Sequence, residues 1–174
     1  MKNKRFFLRN EDIAMFYTAE DMPSGFIMID FVREMKKFIV KSDDSVLEVA
    51  KKISFYLHRD VKGIKYSMIV AGYDEGVPFV YLLSDETVKI LNRNAEGNII
   101  YRVTIGGNLK RVNQYFDFDK SVNDLLLDEA LEHATEIVRD SIDWLNDQDE
   151  YSDVGGSIQS LAIKPNGSAQ LINF

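Results

Sequence analysis

Tyr66-Ser67-Met68-Ile69-Val70-Ala71-Gly72-Tyr73-Asp74-Glu75-Gly76-Val77-Pro78-Phe79-Val80-Tyr81 runs apolar, turns, and runs apolar again. Its first seven residues are nearly all apolar, the pattern of a strand buried on both faces. Asp74-Glu75-Gly76 reads as a turn and Phe79 to Leu83 as the returning strand. On the C-terminal side, Thr87 to Leu91 and Ile99 to Ile105 read as further strands, and Asn92 to Asn98 between them looks like a hairpin loop. On the N-terminal side, Arg5 to Arg9 and Ile13 to Thr18 read as strands joined by the turn-like Asn10-Glu11-Asp12.

Helical periods fill the gaps. Met22-Pro23-Ser24-Gly25 opens a helix whose apolar stripe is Met28, Phe31, Val32, Met35, Phe38 and Ile39, with Arg33, Lys36 and Lys37 on its polar face. Ser45-Val46-Leu47-Glu48 fits a capping box, with the serine oxygen accepting from the helix start and the glutamate reaching back to the cap. Val46, Val49, Ala50, Ile53 and Tyr56 form that second helix's buried stripe, and the charged stretch His58 to Gly63 ends it. After Gly106-Gly107 a short helix is expected near Leu109 to Tyr115. A long one follows, with Leu127, Leu131, Ala134, Val138, Ile142 and Leu145 as its core stripe. Gly155-Gly156 breaks the chain, Ser157 to Lys164 is a strand, and Pro165-Asn166-Gly167-Ser168 turns it into Ala169 to Asn173. There is no repeat or linker, so residues 1–174 are expected to form one α+β domain with mostly antiparallel strands.

The chain of 174 residues has 21 Lys+Arg against 28 Asp+Glu, a net charge of −7. Apolar residues at 45% and charged residues at 28% exclude intrinsic disorder. Without cysteine there is no disulfide framework, thiolate nucleophile or cysteine zinc site, and two histidines cannot make a three-His metal centre. The acidic balance argues against phosphate-backbone binding, so no nucleic-acid partner is expected. Met1-Lys2-Asn3-Lys4-Arg5 leads only into Phe6-Phe7-Leu8 before Arg9, which does not fit a signal peptide. No uninterrupted apolar run is long enough to span a bilayer, and the expectation is a cytoplasmic protein with no membrane partner.

The order of elements and several local strings resemble the proteasome family, whose subunits have the N-terminal-nucleophile hydrolase fold. Tyr66 to Tyr81 is similar to that family's apolar strand, alanine- or glycine-glycine, aromatic and acidic turn, and return strand. Leu127-Asp128-Glu129-Ala130-Leu131-Glu132-His133-Ala134 resembles the start of its long helix. Gly155-Gly156-Ser157-Ile158 with Lys164-Pro165-Asn166-Gly167 resembles its paired glycines and final hairpin. Ile13-Ala14-Met15-Phe16-Tyr17 and Asp21 resemble the strand and acidic entry before its first helix. The resemblance implies a four-layer αββα sandwich, two antiparallel sheets between two helical layers, here N-terminally incomplete. It also implies threonine-type peptide-bond hydrolysis as the ancestral reaction, a peptide or protein substrate, and self-association as a homo-oligomer or with a ring partner.

In active members the nucleophile is an N-terminal threonine on an opening hairpin, with its own amine as general base. This chain opens with Met1-Lys2, and the resemblance begins at Lys4-Arg5-Phe6-Phe7, similar to the lysine-bearing segment just after that hairpin. Lys4 is therefore the catalytic residue implied, its charge lowering the nucleophile's proton affinity, provided an upstream nucleophile hairpin exists. By residue type alone, Lys4 is an exposed terminal lysine. Active members also carry Asp-x-x-Ser before the paired glycines, where this chain has Tyr151 and Val154. Their Gly-Ser-Gly-Ser loop corresponds to Ile105-Gly106-Gly107-Asn108, without serine. The expectation is a proteasome-like subunit that is non-catalytic as given. The alternative is a non-enzymatic binding or regulatory α+β module that self-assembles.

Other chemistry is sparser. Asp140, Asp143 and Asp147 recur at three- and four-residue steps, but with Glu136 and Asp149 nearby they read as an acidic solvated face, and no metal is expected. His58 and His133 belong to no local serine or cysteine motif and read as structural. Gly106-Gly107 lacks the Walker lysine and the dinucleotide fingerprint, so a turn is read there and no cofactor is expected. Phe6, Phe7, Phe26, Phe31 and Phe38 are read as core-filling rather than base-stacking.

Overall fold

A computed structural model describes residues 7–19, 28–60, 66–84, 87–101, 122, 124–147, 158–166 and 168–173. The chain is mixed α+β and divides into two compact units, residues 1–99 with 163–169, and residues 100–162 with 170–174. In the first unit, β1 (Phe7–Leu8), β2 (Ile13–Ala19), β3 (Tyr66–Asp74), β4 (Val77–Ser84) and β5 (Thr87–Ile90) lie side by side in chain order. Every neighbouring pair is antiparallel. Between β1 and β2 the backbone makes a short helical turn, α1 (Arg9–Asp12), so Arg9 does not end a strand as the sequence suggested. Its φ of 38° lies in the left-handed region, which breaks the extended run. The β3–β4 hairpin turns through Glu75 and Gly76 at φ 51° and 79°, the pattern whose twist matches flanking strands.

Two helices come between β2 and β3: α2 (Met28–Glu34), which runs into a π turn at Met35–Ile39, and α3 (Val46–Asp60). The capping box at the start of α3 is formed: Ser45 N–H donates to Glu48 Oε2 at 2.7 Å and Glu48 N–H to Ser45 Oγ at 3.2 Å. Val46, Val49, Ala50, Ile53 and Leu57 are buried along one side of α3, while Tyr56 is only partly buried. With Phe31, Val32 and Met35 they cover one face of the sheet, where Met15, Val70 and Tyr81 stand in one cross-strand row and Met68 and Leu83 in the next. Full burial of a leucine or isoleucine here contributes about 1.5–3 kcal/mol, which makes this layer the core of the unit.

Phe38 corrects the expected stripe, because it is 71% exposed. Val40 N–H bonds to Met35 O at 2.8 Å, an i to i−5 closure. The wider turn advances each residue through a smaller angle than an α-helix does, so Ile39, not Phe38, returns to the core side after Met35. Phe31, by contrast, is buried as expected, whereas Phe6 and Phe26 lie outside the described residues.

The other face of the sheet is also apolar. Register places Phe16 opposite Ile69 and Ile69 opposite Leu82, with Ala71 opposite Val80 in the next row. Ile69, Ala71, Val80 and Leu82 are half-buried and Phe16 is 53% exposed. β3 is thus buried toward one face and half-buried toward the other, where its sequence suggested burial on both.

Beyond β5, Arg93 and Ile99 form an isolated bridge that closes the expected loop, and Asn92 ties it to β4 through Val80 N–H at 3.1 Å and Pro78 O at 2.9 Å. The strand expected at Ile99 to Ile105 and the helix at Leu109 to Tyr115 extend outside the described residues. In the second unit α4 spans Leu127–Asp147, with Leu126 N–H bonded to Glu129 Oε2 at 2.7 Å at its start. Its expected stripe is corrected. Leu127 and Val138 are 45% and 41% exposed and Ala134 is exposed, while Leu131 and Ile142 are half-buried. Thr135 and Ile137, on either side of that line, are buried instead. Thr135 can be buried because its hydroxyl donates to Leu131 O at 2.8 Å and meets Ser160 Oγ at 3.2 Å. Finally, β6 (Gln159–Ile163) and β7 (Ala169–Asn173) pair as a two-stranded sheet, closed by Lys164 N–H to Ser168 O at 2.9 Å. Among the described residues no helix is long and apolar enough to cross a membrane.

Candidate functional site

The polar centre of the first unit is built around Arg9, held in the α1 turn with its side chain only 10% exposed. Its Nε donates to Asp12 Oδ1 at 2.9 Å, and Nη1 donates to Asp74 Oδ1 at 2.6 Å and to Asp44 O at 2.8 Å. Nη2 donates to Tyr73 O. Asp74, the last residue of β3, also accepts from Val46 N–H at 3.0 and 3.1 Å, so its carboxylate sits on the positive end of α3. One side chain from the β1–β2 connection therefore joins the end of β3 to the entry of α3.

Asp44 continues the cluster. It is 7% exposed and accepts from Lys52 Nζ at 2.6 and 2.8 Å and from Lys41 N–H at 2.7 Å, while Lys52 also donates to Ile39 O at 3.0 Å. Burial pushes the Asp44 carboxyl up, but the hydrogen bonds from Lys52 and Lys41 outweigh it and hold the group below its usual range. Burial likewise pulls Arg9 down, yet Asp12 and Asp74 outweigh it and keep the guanidinium firmly charged.

Gly72 makes the cluster sterically feasible. A Cβ there would stand 2.9 Å from Ile13 Cγ1, 3.1 Å from Asp12 O and 3.2 Å from Val46 Cγ2, so only glycine lets β3 approach both neighbours this closely. Chemically the centre is a clasp: four of the five Arg9 N–H groups donate to carboxylates or main-chain carbonyls. From sequence, Gly72 ends a strand and Asp74 opens a turn; their part in the clasp is not legible there, because the Arg9 partner is 65 residues from Asp74.

The residues singled out from sequence fall as follows. Lys4, Asp21, Gly106, Gly107, Asn108, Tyr151 and Val154 lie outside the described residues. His58 is exposed in the last turn of α3, and His133 is half-buried on α4. Asp140 and Asp143 are exposed on α4, and Asp147 is its final residue. Among the described residues no group of three or more His, Cys, Asp or Glu is arranged to hold a metal ion. No protein-family model matches the chain, and no curated protein matches it.

Proposed function

We propose that this chain is a proteasome-like subunit of the N-terminal-nucleophile superfamily, with a four-layer αββα fold, that assembles rather than hydrolysing peptide bonds. The observation that carries the reading is the first unit's sheet. It has two helices inserted between β2 and β3, is covered by them on one face, and presents an apolar row of Phe16, Ile69 and Leu82 on the other. A sheet apolar on both faces calls for a second layer, and a second antiparallel sheet is what the four-layer fold supplies. The order of elements supports it as well, since the long α4 and the closing β6–β7 hairpin follow the sheet as the family resemblance expects.

The non-catalytic part rests on Tyr151, Val154 and Ile105-Gly106-Gly107-Asn108, which replace the aspartate, serine and serine-bearing loop that support the nucleophile in active relatives. Tyrosine and valine cannot supply a carboxylate or the matching hydroxyl network. Lys4 acts in catalysis only where an upstream nucleophile is present. The test is turnover of a panel of fluorogenic peptides by protein purified from its own cells, beside Lys4→Ala. No turnover from an oligomer supports the proposal. Turnover that Lys4→Ala abolishes makes the protein a peptidase with Lys4 in its site and overturns the non-catalytic reading.

A further inference from the structure

The turn between β6 and β7 presents an asparagine whose side-chain amide is arranged to react with its own backbone. Asn166 is the only asparagine of the chain that glycine follows, so no side chain shields the next main-chain nitrogen. Asn166 and Ser168 are both exposed, in the turn that Lys164 N–H closes onto Ser168 O at 2.9 Å. Ser168 N–H and Ser168 Oγ both donate to Asn166 Oδ1, at 3.1 and 2.7 Å. These bonds hold the amide folded along the chain, toward the residues that follow it, instead of leaving it to rotate in water. They also draw electron density onto Oδ1, as donors aimed at a developing oxyanion do, and so make Cγ the better electrophile. Two further asparagines show the contrast. Asn92 is buried, its Oδ1 accepting from Val80 N–H and its Nδ2 donating to Pro78 O, and Arg93 follows it. Asn94 Oδ1 accepts from Asn98 N–H at 2.8 Å, and Ala95 follows it.

We infer that Asn166 is a site of spontaneous covalent modification, deamidation through a cyclic imide, with Ser168 as the positioning residue. The main-chain nitrogen of Gly167 attacks Asn166 Cγ. The N–Cγ bond forms, the Cγ–Nδ2 bond breaks, and the amide nitrogen leaves as ammonia with the proton that the main-chain nitrogen gives up. Water then adds to one of the two imide carbonyls, and the ring opens to aspartate or to isoaspartate. Either product adds one negative charge to the net −7. Isoaspartate also inserts an extra carbon into the main chain of a turn whose length sets the pairing of β6 with β7. Nothing in this chemistry depends on whether the chain assembles.

The experiment is peptide mapping by mass spectrometry of the full chain kept folded in mildly alkaline buffer, with isoaspartate detected by enzymatic methylation. It is run beside the same chain unfolded in guanidinium chloride, and beside Ser168→Ala and Ser168→Thr. Asn166 is expected to convert ahead of every other asparagine, with isoaspartate among the products, and faster in the folded chain than in the unfolded one. Folded Ser168→Ala should convert about threefold more slowly, the effect of losing one exposed hydrogen bond, and should match wild type once unfolded. Ser168→Thr keeps both the hydroxyl and the N–H and should retain the wild-type rate. An Asn166 that stays an amide while other asparagines convert overturns the inference. A folded chain no faster than the unfolded one, or Ser168→Ala at the wild-type rate, overturns it as well, since the turn then adds nothing to the sequence. Equal slowing in Ser168→Thr would place the effect in the packing of the hairpin and overturn the part given to the hydroxyl.

Discussion

Arg9 and Asp44 are the residues on which the geometry of the first unit turns. Arg9→Met keeps the side-chain length but removes the cation that Asp12 and Asp74 share, leaving Asp74 only its bonds from Val46 N–H, and about 2–4 kcal/mol of stability should be lost. Urea denaturation reads this directly, and a loss under ~0.5 kcal/mol would mean that water replaces the guanidinium without cost. Asp44 gives the clasp a pH dependence. Its folded-state proton affinity lies below the ordinary value of 3.8, so the unfolded chain binds the proton more readily. The stability it contributes is present above that value and is lost as pH falls through the lower folded-state pKa. Asp44→Asn should therefore be less stable than wild type at neutral pH, with the gap narrowing below 3.8. A gap that stays constant down to about pH 2 would show that the carboxylate's charge is immaterial. Neither role was legible in the sequence, because Arg9 meets Asp74 across 65 positions and Lys52 meets Asp44 only after α3 has formed.

At the scale of elements, local chemistry and the phase of α3 could be read, whereas the phase of α2 beyond Met35 and that of α4 could not. Ser45 and Glu48 lie three residues apart, so the capping box at the start of α3 follows from sequence, and the apolar run Tyr66 to Gly72 gives β3. The phase of α2 is lost at Met35, because periodicity assumes a constant turn and a single i to i−5 closure breaks it. On α4, the buried Thr135 is invisible to a hydrophobic stripe since its burial depends on Leu131 O and Ser160 Oγ. Phe31 and Phe38 make the distinction measurable. Phe31→Ala should cost about 3–5 kcal/mol as a core cavity, and Phe38→Ser under ~0.5 kcal/mol as a surface change. Equal losses in urea midpoint would mean that α2 continues as a regular helix and Phe38 is buried after all.

For the whole molecule, the coarse α+β class was legible. Alternation and turn residues suffice to give antiparallel strands with helices between them. That Phe16, Ile69 and Leu82 share one row depends on a register between strands far apart in sequence. The site implied by resemblance, Lys4 with Tyr151 and Val154 at the supporting positions, lies outside the described residues, so its chemistry is carried by residue identity alone. The proposed function nonetheless rests on one property of the intact protein that a single number tests, self-assembly. Native mass spectrometry of the protein from its own cells should give a multiple of the subunit mass consistent with a closed ring. A single species at 20.0 kDa at every concentration would contradict it.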